Sequence, residues 1–189
     1  MLMGDIRIRS AINRGAIELD PYIPEAMQPA SIDVHLGSEF FIQTKHGRAQ
    51  ATDQDWQSRS VTRGAHIDLW PKDFVLGATH EILGLDRTVA ARFEGKSSLG
   101  RLGLLTHITA GFIDPGFRGN ITVELANVSR HPIHLYPGMR IGQLCFFETH
   151  TIASYGEARM QSHYQGQRGP KLSAFDPFEQ RIDVYGEKE

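Results

Sequence analysis

The chain has one cysteine, no long apolar run and no excess of positive charge, and each of these shortages excludes a class of protein. A single cysteine, Cys145, rules out a disulfide framework within the chain and any zinc site of four cysteines. It lies in the apolar run 141–147, where a buried small hydrophobe is a better interpretation than a nucleophile. No stretch approaches the roughly 18 apolar residues of a membrane-spanning helix, and the amino terminus lacks the apolar segment of a signal peptide. We therefore expect a cytoplasmic protein without membrane contact.

Charge and histidine spacing exclude two further classes. The formal net charge is −2 at pH 7 and the pI is near 6.5, so no overall positive field attracts nucleic acid or anionic lipid. Any anionic ligand must therefore be held by a few local groups. The nine histidines form no His-Glu-x-x-His pattern, and His131 and His134 with one distant cysteine are poor evidence for a metal site. We expect no protein-held metal.

Short β-type runs separated by glycine and proline dominate what is present, with 19 glycines and 9 prolines in the chain. In Ser31–Leu36 apolar residues alternate with polar ones, which is the period of a strand with one buried face. Because 189 residues with 40% hydrophobic content suffice for one core, we predict a single all-β, mainly antiparallel domain. The candidate strands are Ser31–Leu36, Phe40–Thr44, Val75–His80, Glu81–Leu85, Thr88–Glu94, Gly119–Asn127, Ile133–Leu135 and Gln143–Glu148.

Three local features complete the predicted organisation. Asp5–Arg14 has the spacing of one short amphipathic helix. Tyr136–Met139 contains Pro-Gly and predicts a type II turn, because proline fixes φ and glycine accepts a positive φ. From about residue 154 the chain is polar and Gly-rich, so we predict that the domain 1–189 ends in an arm over 154–189. A disordered tail is the alternative that composition leaves open.

A Gly-Lys-Ser-Ser turn that begins at Gly95 has the composition of a phosphate-binding loop. Glycine lets the backbone approach an anion, Lys96 supplies charge, and Ser97 and Ser98 can donate hydrogen bonds. The spacing is not that of a Walker A loop, and an ordinary polar turn is an equal interpretation. If a helical turn follows, Ser97 and Arg101 share one face and can converge on one ligand.

Two carboxylates follow this turn, and each allows two interpretations. Asp114 directly precedes a Pro-Gly turn, where it either caps the turn through backbone N–H groups or faces a ligand. On the strand predicted over Gly119–Asn127, Glu124 shares a face with Thr122 and lies opposite the apolar side of Val123. Glu124 therefore faces either solvent or a cleft.

These elements stand in an order that resembles the deoxycytidine triphosphate (dCTP) deaminases of the trimeric deoxyuridine triphosphatase (dUTPase) superfamily. The resemblance rests on GKSSLGRLG at Gly95–Gly103, IDPG at Ile113–Gly116 and the strand carboxylate Glu124, and it extends through most of the chain. It implies a distorted jelly-roll or β-clip fold with a short N-terminal helix, assembled as a homotrimer with three sites between subunits. The implied reaction is hydrolytic deamination of dCTP at C4, which gives dUTP and ammonia.

The resemblance implies a role for each matching residue. Glu124 is the general base, Ser97 positions the water or the base, and Arg101 orients Glu124 and stabilises charge. Asp114 contacts the deoxyribose 3′-hydroxyl and joins these three as the fourth residue of the catalytic set. The implied substrate-binding residues are Lys96, Ser98, Leu99, Gly100, Ala110, Thr122, Val123, Gln143, Tyr155, His163 and Gln167.

Zinc is not expected to take part in this reaction. Most nucleobase deaminases activate water with zinc held by His-x-Glu and Pro-Cys-x-x-Cys motifs, and neither motif occurs in the chain. A carboxylate must then serve as the base without a metal. Mg²⁺ is expected only as the companion of the triphosphate. Besides dCTP and dUTP, thymidine triphosphate (dTTP) is a candidate ligand, as an inhibitor.

Two further positions help to predict the branch of the family to which the chain belongs. His163 stands where many relatives have lysine, so either it meets a phosphate when protonated or Lys171 or Arg168 takes over. Gly111-Phe112 resembles the branch that also hydrolyses dUTP to dUMP and pyrophosphate and so supplies thymidylate synthesis, whereas the enterobacterial type has a bulkier His-Arg pair. The alternatives are a deamination-only dCTP deaminase, a pure dUTPase and a non-catalytic nucleotide-binding regulatory module.

Overall fold

Strands form the framework of the computed structural model, and two short helices accompany them. The helices are α1 (Asp5–Asn13) and α2 (Ser97–Gly100), with a 3-10 turn at Pro24–Ala26. The strands are β1 (Ile17–Asp20), β2 (Met27–Gln28), β3 (Ser31–His35), β4 (Glu39–Gln43), β5 (Trp56–Ser60), β6 (Ile67–Leu69), β7 (Phe74–Leu85), β8 (Val89–Gly95), β9 (Leu104–Leu105), β10 (Phe112–Ile113), β11 (Arg118–Asn127), β12 (Ile133–Leu135) and β13 (Arg140–Glu148). The structure describes residues 1–44, 55–150, 155, 157 and 163–174.

The strands pair into two large sheets and one two-stranded ribbon. The first sheet has the order β5-β4-β7-β11-β9, with β1 also paired to β7, and the second has the order β10-β8-β13-β3-β2. The ribbon consists of β6 and β12. Every strand pair in the described residues is antiparallel, which confirms the predicted all-β, mainly antiparallel class.

The longest strand, β7, corrects one sequence prediction. A break was expected between His80 and Glu81, but the strand runs unbroken for 12 residues. The polar Glu81 is tolerated in mid-strand because its buried carboxylate accepts a hydrogen bond from the His35 backbone N–H at 2.9 Å. The side-chain amide of Asn120 in β11 also donates to the Thr79 carbonyl at 2.9 Å. The predicted break is therefore wrong, since neighbouring strands satisfy its polar groups.

One hydrophobic core draws on both large sheets. Fully buried side chains from the first sheet include Phe40 and Leu125, and those from the second include Phe93 and Phe146. Each such side chain contributes roughly 1.5–3 kcal/mol by its burial. Val123 is also fully buried on the core side of β11, so the side chain of Glu124 is turned to the opposite face.

Two local predictions are close to the structure. Helix α1 ends one residue before the predicted Arg14, and it buries Ile8 and Ala11 while Ile6 is exposed. In the predicted type II turn the Met139 N–H donates to the Tyr136 carbonyl at 3.1 Å and Gly138 has φ 83°, which confirms the turn.

None of the described helices has the length and apolar character needed to cross a membrane.

Cys145 lies on β13 and is half-buried. Burial raises the pKa of its thiol, and the nearby charge of Glu94 raises it further, while Arg92 acts in the opposite direction. The thiol is therefore protonated at neutral pH, as the interpretation of Cys145 as a small hydrophobe requires.

Candidate active site

A cavity of about 440 Å³ lies beside β11, and the carboxylate of Glu124 is on its wall. Polar groups on the wall also include Asp114, Thr122, Gln167 and Lys171. Six aromatic side chains also line the cavity. They are Trp56, Phe74, Phe112, Phe117, Tyr155 and Tyr164.

Glu124 is held in place by the loop that follows β9. Its Oε2 accepts a hydrogen bond from the Ile108 backbone N–H at 2.7 Å, and its own N–H donates to the Thr106 carbonyl at 3.2 Å. The side chain is half-buried and lines the cavity. A carboxylate with one oxygen fixed and access to a cavity can serve as a general base.

The aromatic walls suit a planar ligand. Trp56 and Phe74 meet edge to face with ring centroids 5.7 Å apart, and Phe117 and Tyr155 are 5.8 Å apart. Rigid ring surfaces of this kind can stack against a nucleobase. Neither Trp56 nor Phe74 was identified as a candidate from the sequence. The only signal for them is aromatic character, which burial in the core would explain equally well.

Residues 163–174 of the predicted arm lie against β11. The Gln167 carbonyl accepts from the Asn120 N–H at 3.2 Å, and the Lys171 N–H donates to the Thr122 hydroxyl at 3.2 Å. The Gln167 side-chain amide donates to the Asn120 carbonyl and, at 3.4 Å, to the Thr122 hydroxyl. Its Oε1 is buried without a partner in the described residues, so it can accept a hydrogen bond from a ligand. The part of the arm after residue 174 lies outside the described residues.

Tyr155 closes one side of the cavity. Its backbone N–H donates to the Pro115 carbonyl at 2.7 Å, and its hydroxyl accepts from the Tyr164 N–H at 3.4 Å. Burial raises the pKa of the phenol, with a smaller upward contribution from Asp114, whereas the hydrogen bond from Tyr164 lowers it. The hydroxyl therefore keeps its proton at neutral pH.

The Gly-Lys-Ser-Ser segment lies outside this cavity. The predicted helical turn is present as α2, where the Arg101 N–H donates to the Ser97 carbonyl at 3.1 Å. Ser97, Ser98 and Arg101 are exposed. Lys96 is paired instead, because its Nζ lies 2.6 Å from Oδ1 of Asp33, a carboxylate that is only 1% exposed.

The structure thus divides the predicted site residues into two groups. Seven line the cavity: Ala110, Phe112, Asp114, Thr122, Glu124, Tyr155 and Gln167. The remainder lie outside it: Lys96, Ser97, Ser98, Leu99, Gly100, Arg101, Gly111, Val123, Gln143 and His163. In the second group, Gln143 accepts a hydrogen bond from the Ser31 hydroxyl at 3.1 Å. The buried Val123 could reach a ligand only through its backbone.

Gly111 and His163, the two positions used to predict the branch of the family, have different surroundings. Gly111 is buried and its carbonyl accepts from the Phe93 N–H at 2.8 Å, so β10 and β8 approach closely here. A Cβ on Gly111 would lie 2.8 Å from the Phe93 carbonyl oxygen. His163 is exposed and packs at 6.1 Å from the Tyr164 ring. Of the two basic residues named as its substitutes, Lys171 lines the cavity.

The fold and the cavity define an all-β protein with a carboxylate on the wall of an aromatic-lined cavity. Residues 2–149 match the family model described as dCTP deaminase-like. The chain belongs to this dCTP deaminase-like family.

Relatives in the family cover nearly the whole chain. A Thermobifida fusca (strain YX) protein named dCTP deaminase, dUMP-forming, is 51% identical over 181 residues, which are 92% of each chain. The Bifidobacterium adolescentis protein of the same name is also 51% identical, over 92% of this chain and 93% of its own. The Tropheryma whipplei (strain Twist) protein of that name is 49% identical over 180 residues, 92% of each chain.

A solved structure supports the fold. The crystal structure of 2′-deoxycytidine 5′-triphosphate deaminase from Agrobacterium tumefaciens superposes with a TM-score of 0.63 at 21% sequence identity. The match covers 80% of this chain and 49% of that one, so the chain spans about half the length of the Agrobacterium protein. At this identity the likeness concerns the fold alone.

Proposed function

We propose that this chain is a dCTP deaminase that forms dUMP, and that Glu124 is its general base. The observation that most supports this is the position of Glu124, whose carboxylate lines an aromatic-walled cavity with one oxygen held by the Ile108 amide. A carboxylate in this setting can take a proton from a water that attacks a planar base. The half-identical relatives bear the name dCTP deaminase, dUMP-forming.

The proposed chemistry adds water to C4 of cytosine and releases ammonia. Glu124 takes one proton from the attacking water while the water oxygen bonds to C4, and it passes this proton to N3. The proton of the new C4 hydroxyl then moves by the same carboxylate to the exocyclic nitrogen. The C4–N bond breaks, ammonia leaves, and the C4 oxygen becomes the uracil carbonyl. Glu124 ends the cycle ionised, as it began.

We propose that the reaction uses no protein-held zinc, as the missing His-x-Glu and Pro-Cys-x-x-Cys motifs predict. Among the described residues, one group of three such side chains has ligand atoms close enough to share an ion, namely His66, Asp68 and His134. None of the three lines the cavity. The Mg²⁺ ion is proposed to enter with the triphosphate as part of the substrate.

The sugar contact proposed for Asp114 is consistent with its surroundings. The Pro-Gly turn is closed by the Phe117 N–H, which donates to the Asp114 backbone carbonyl at 3.3 Å. The carboxylate of Asp114 is exposed on the cavity wall, where it can accept a hydrogen bond from a ligand hydroxyl. The main chain alone therefore supplies the hydrogen bond that closes this turn.

A homotrimer would complete the site. Of the described residues on the cavity wall, Lys171 is the one cation, whereas a triphosphate carries several negative charges. Ser97, Ser98 and Arg101 are exposed outside the cavity of their own chain. We propose that α2 of one subunit presents this set to the cavity of its neighbour, where Arg101 meets Glu124.

The product places the proposed enzyme in metabolism. The dUMP formed would supply thymidylate synthesis, and we place the protein in the cytoplasm with that route. dTTP stays a predicted inhibitor of the same site.

Product analysis distinguishes this proposal from its alternatives. Pure protein given dCTP and Mg²⁺ is expected to release ammonia and pyrophosphate in equal amounts, with dUMP as the nucleotide product by anion-exchange chromatography. Accumulation of dUTP without pyrophosphate would instead identify a deamination-only enzyme. A pure dUTPase would release pyrophosphate from dUTP and no ammonia from dCTP. A regulatory module would bind dCTP and turn over neither nucleotide.

The close approach at Gly111 changes how its role in hydrolysis must be tested. Gly111→Ala is expected to lower the free energy of unfolding by about 1–3 kcal/mol, because the added Cβ crowds the Phe93 carbonyl. For a chain of this size that corresponds to a fall in Tm of roughly 2–4 °C per kcal/mol, which thermal unfolding can measure. An unchanged Tm would show that β10 moves away freely.

The same variant controls for Gly111→His. We propose that a small residue at 111 leaves room for the second water that attacks the α-phosphorus, so Gly111→His should lose pyrophosphate release while ammonia release persists. Gly111→Ala carries the backbone clash without the bulk of a ring. If Gly111→Ala alone loses pyrophosphate release to the same extent, packing and not ring size explains the effect.

A further inference from the structure

Polar and aromatic side chains share the outer face of the β6–β12 ribbon. Ile67 and Leu69 in β6 and Leu135 in β12 are buried, so the residues that alternate with them point outward. The outward residues include His66, Asp68 and Trp70 on one strand and its flanks, and His134 and Tyr136 on the other. The proposed deaminase site does not use this face, since none of these residues lines the cavity.

The strand register brings three potential metal ligands together. His134 is the direct cross-strand partner of Asp68, and His66 precedes Asp68 by two residues on the same face. Nδ1 of His134 lies 2.6 Å and Nε2 of His66 lies 3.2 Å from Oδ1 of Asp68. One ligand atom from each side chain lies within 4.8 Å of the other two.

These spacings are near those of a shared metal ion. Donor atoms that lie about 2.0–2.2 Å from a tetrahedral ion are roughly 3.3–3.5 Å from each other. Small side-chain rotations would therefore place one ion between His66, Asp68 and His134. The rings of His66 and His134 are already 4.7 Å apart, and Tyr136 packs 5.1 Å from the His66 ring.

We propose that His66, Asp68 and His134 bind a divalent transition-metal ion such as Zn²⁺, Co²⁺ or Ni²⁺. Two imidazoles and one carboxylate are the ligands that these ions prefer, whereas Mg²⁺ selects oxygen ligands and water. The three side chains are 39%, 42% and 52% exposed, so water completes the coordination shell. The ion would join β6 to β12, two three-residue strands that share three register pairs.

The site is separate from the proposed chemistry at Glu124. The Mg²⁺ that accompanies the triphosphate should not compete for it, because ligand type separates the two ions. The proposal departs from the sequence-based expectation of no protein-held metal, whereas deamination at Glu124 is still expected to need none, since the cluster lies outside the cavity.

Metal titration of untagged, chelator-treated protein tests this proposal. Zn²⁺ followed by isothermal titration calorimetry, and Co²⁺ followed by visible absorption, should each bind one ion per chain in the presence of excess Mg²⁺. Loss of a residue that only hydrogen-bonds to a metal ligand weakens metal binding by roughly 10- to 100-fold. Because His134→Ala and Asp68→Asn change a ligand itself, they should weaken metal binding by more. Zn²⁺ should also raise the Tm of the wild type and not that of these variants.

His131→Ala is the matched control, because His131 is exposed in the same region but lies outside the cluster. This variant should bind Zn²⁺ and Co²⁺ as the wild type does. Asp68→Asn keeps the size of the side chain, so it decides the question if His134→Ala does not fold. Absence of one-to-one binding in the wild type, or equal binding by wild type and Asp68→Asn, would overturn the proposal.

Discussion

Glu124→Gln is expected to lower ammonia release from dCTP by roughly two to four orders of magnitude, the usual contribution of a positioned acid–base group. An amide cannot take the proton of the attacking water, yet it keeps the size of the side chain and an oxygen that can accept the Ile108 N–H. Binding of the triphosphate should therefore persist. A coupled ammonia assay gives kcat, and calorimetry with dCTP gives the dissociation constant.

The same carboxylate-to-amide change outside the cavity supplies the control. Glu148 is an exposed carboxylate on β13 that pairs with Arg7 at 2.6 Å, and exposed pairs of this kind contribute little to stability. Glu148→Gln should release ammonia at the wild-type rate. Ammonia release by Glu124→Gln within a few fold of that rate would remove Glu124 from the proposed chemistry.

Hydrophobic alternation explains why much of the fold could be predicted. Ser31–Leu36 and Gly119–Asn127 match β3 and β11 to within one residue, because their alternate apolar residues are in the core. In β3 the polar face, with Ser31 and Asp33, is buried as well, so the expectation of one buried face is wrong there. The strand β5 was missed because four of its five residues are exposed, which leaves no alternating pattern to detect. It forms through pairing with β4 along its whole length. The three-residue β6 was also missed, whereas its partner β12, of the same length, was predicted as Ile133–Leu135.

The site was less predictable, because long-range pairing assembles it. Glu124 and Asp114 carry local signals in their strand and turn, whereas Trp56 and Phe74 reach the cavity through the order β5-β4-β7-β11. The metal-ligand cluster shows the same limit. His134 was weighed with its sequence neighbour His131, yet its partner is Asp68, which only the β6–β12 register identifies.

The position of Arg101 has a consequence for catalysis between subunits. Arg101 is exposed and lies outside the cavity that contains Glu124 in its own chain. If a neighbouring subunit supplies Arg101, each site contains one essential residue from each of two chains. Arg101→Ala alone should then lower ammonia release by roughly two orders of magnitude, as expected for loss of a group that stabilises developing charge.

Mixing the two inactive variants is expected to restore activity. Consider trimers assembled at random from equal amounts of Glu124→Gln and Arg101→Ala chains. A site is intact when its Glu124 comes from an Arg101→Ala chain and its Arg101 comes from a Glu124→Gln chain. Each condition holds for half of the chains, so about one quarter of the sites are intact in a closed ring of identical interfaces. Ammonia release should rise to roughly a quarter of the wild-type rate. Co-refolding or coexpression gives the mixed trimers, and the coupled assay measures them.

A double variant provides the control for this recovery. When Glu124→Gln chains are mixed with chains that carry both substitutions, no site contains an intact Glu124, so activity should stay at the level of the single variant. Recovery in the first mixture and not in the second requires that Glu124 and Arg101 meet across a subunit boundary. A first mixture as inactive as its components, in trimers shown by mass spectrometry to contain both chains, would mean that Arg101 does not act on the neighbour's Glu124.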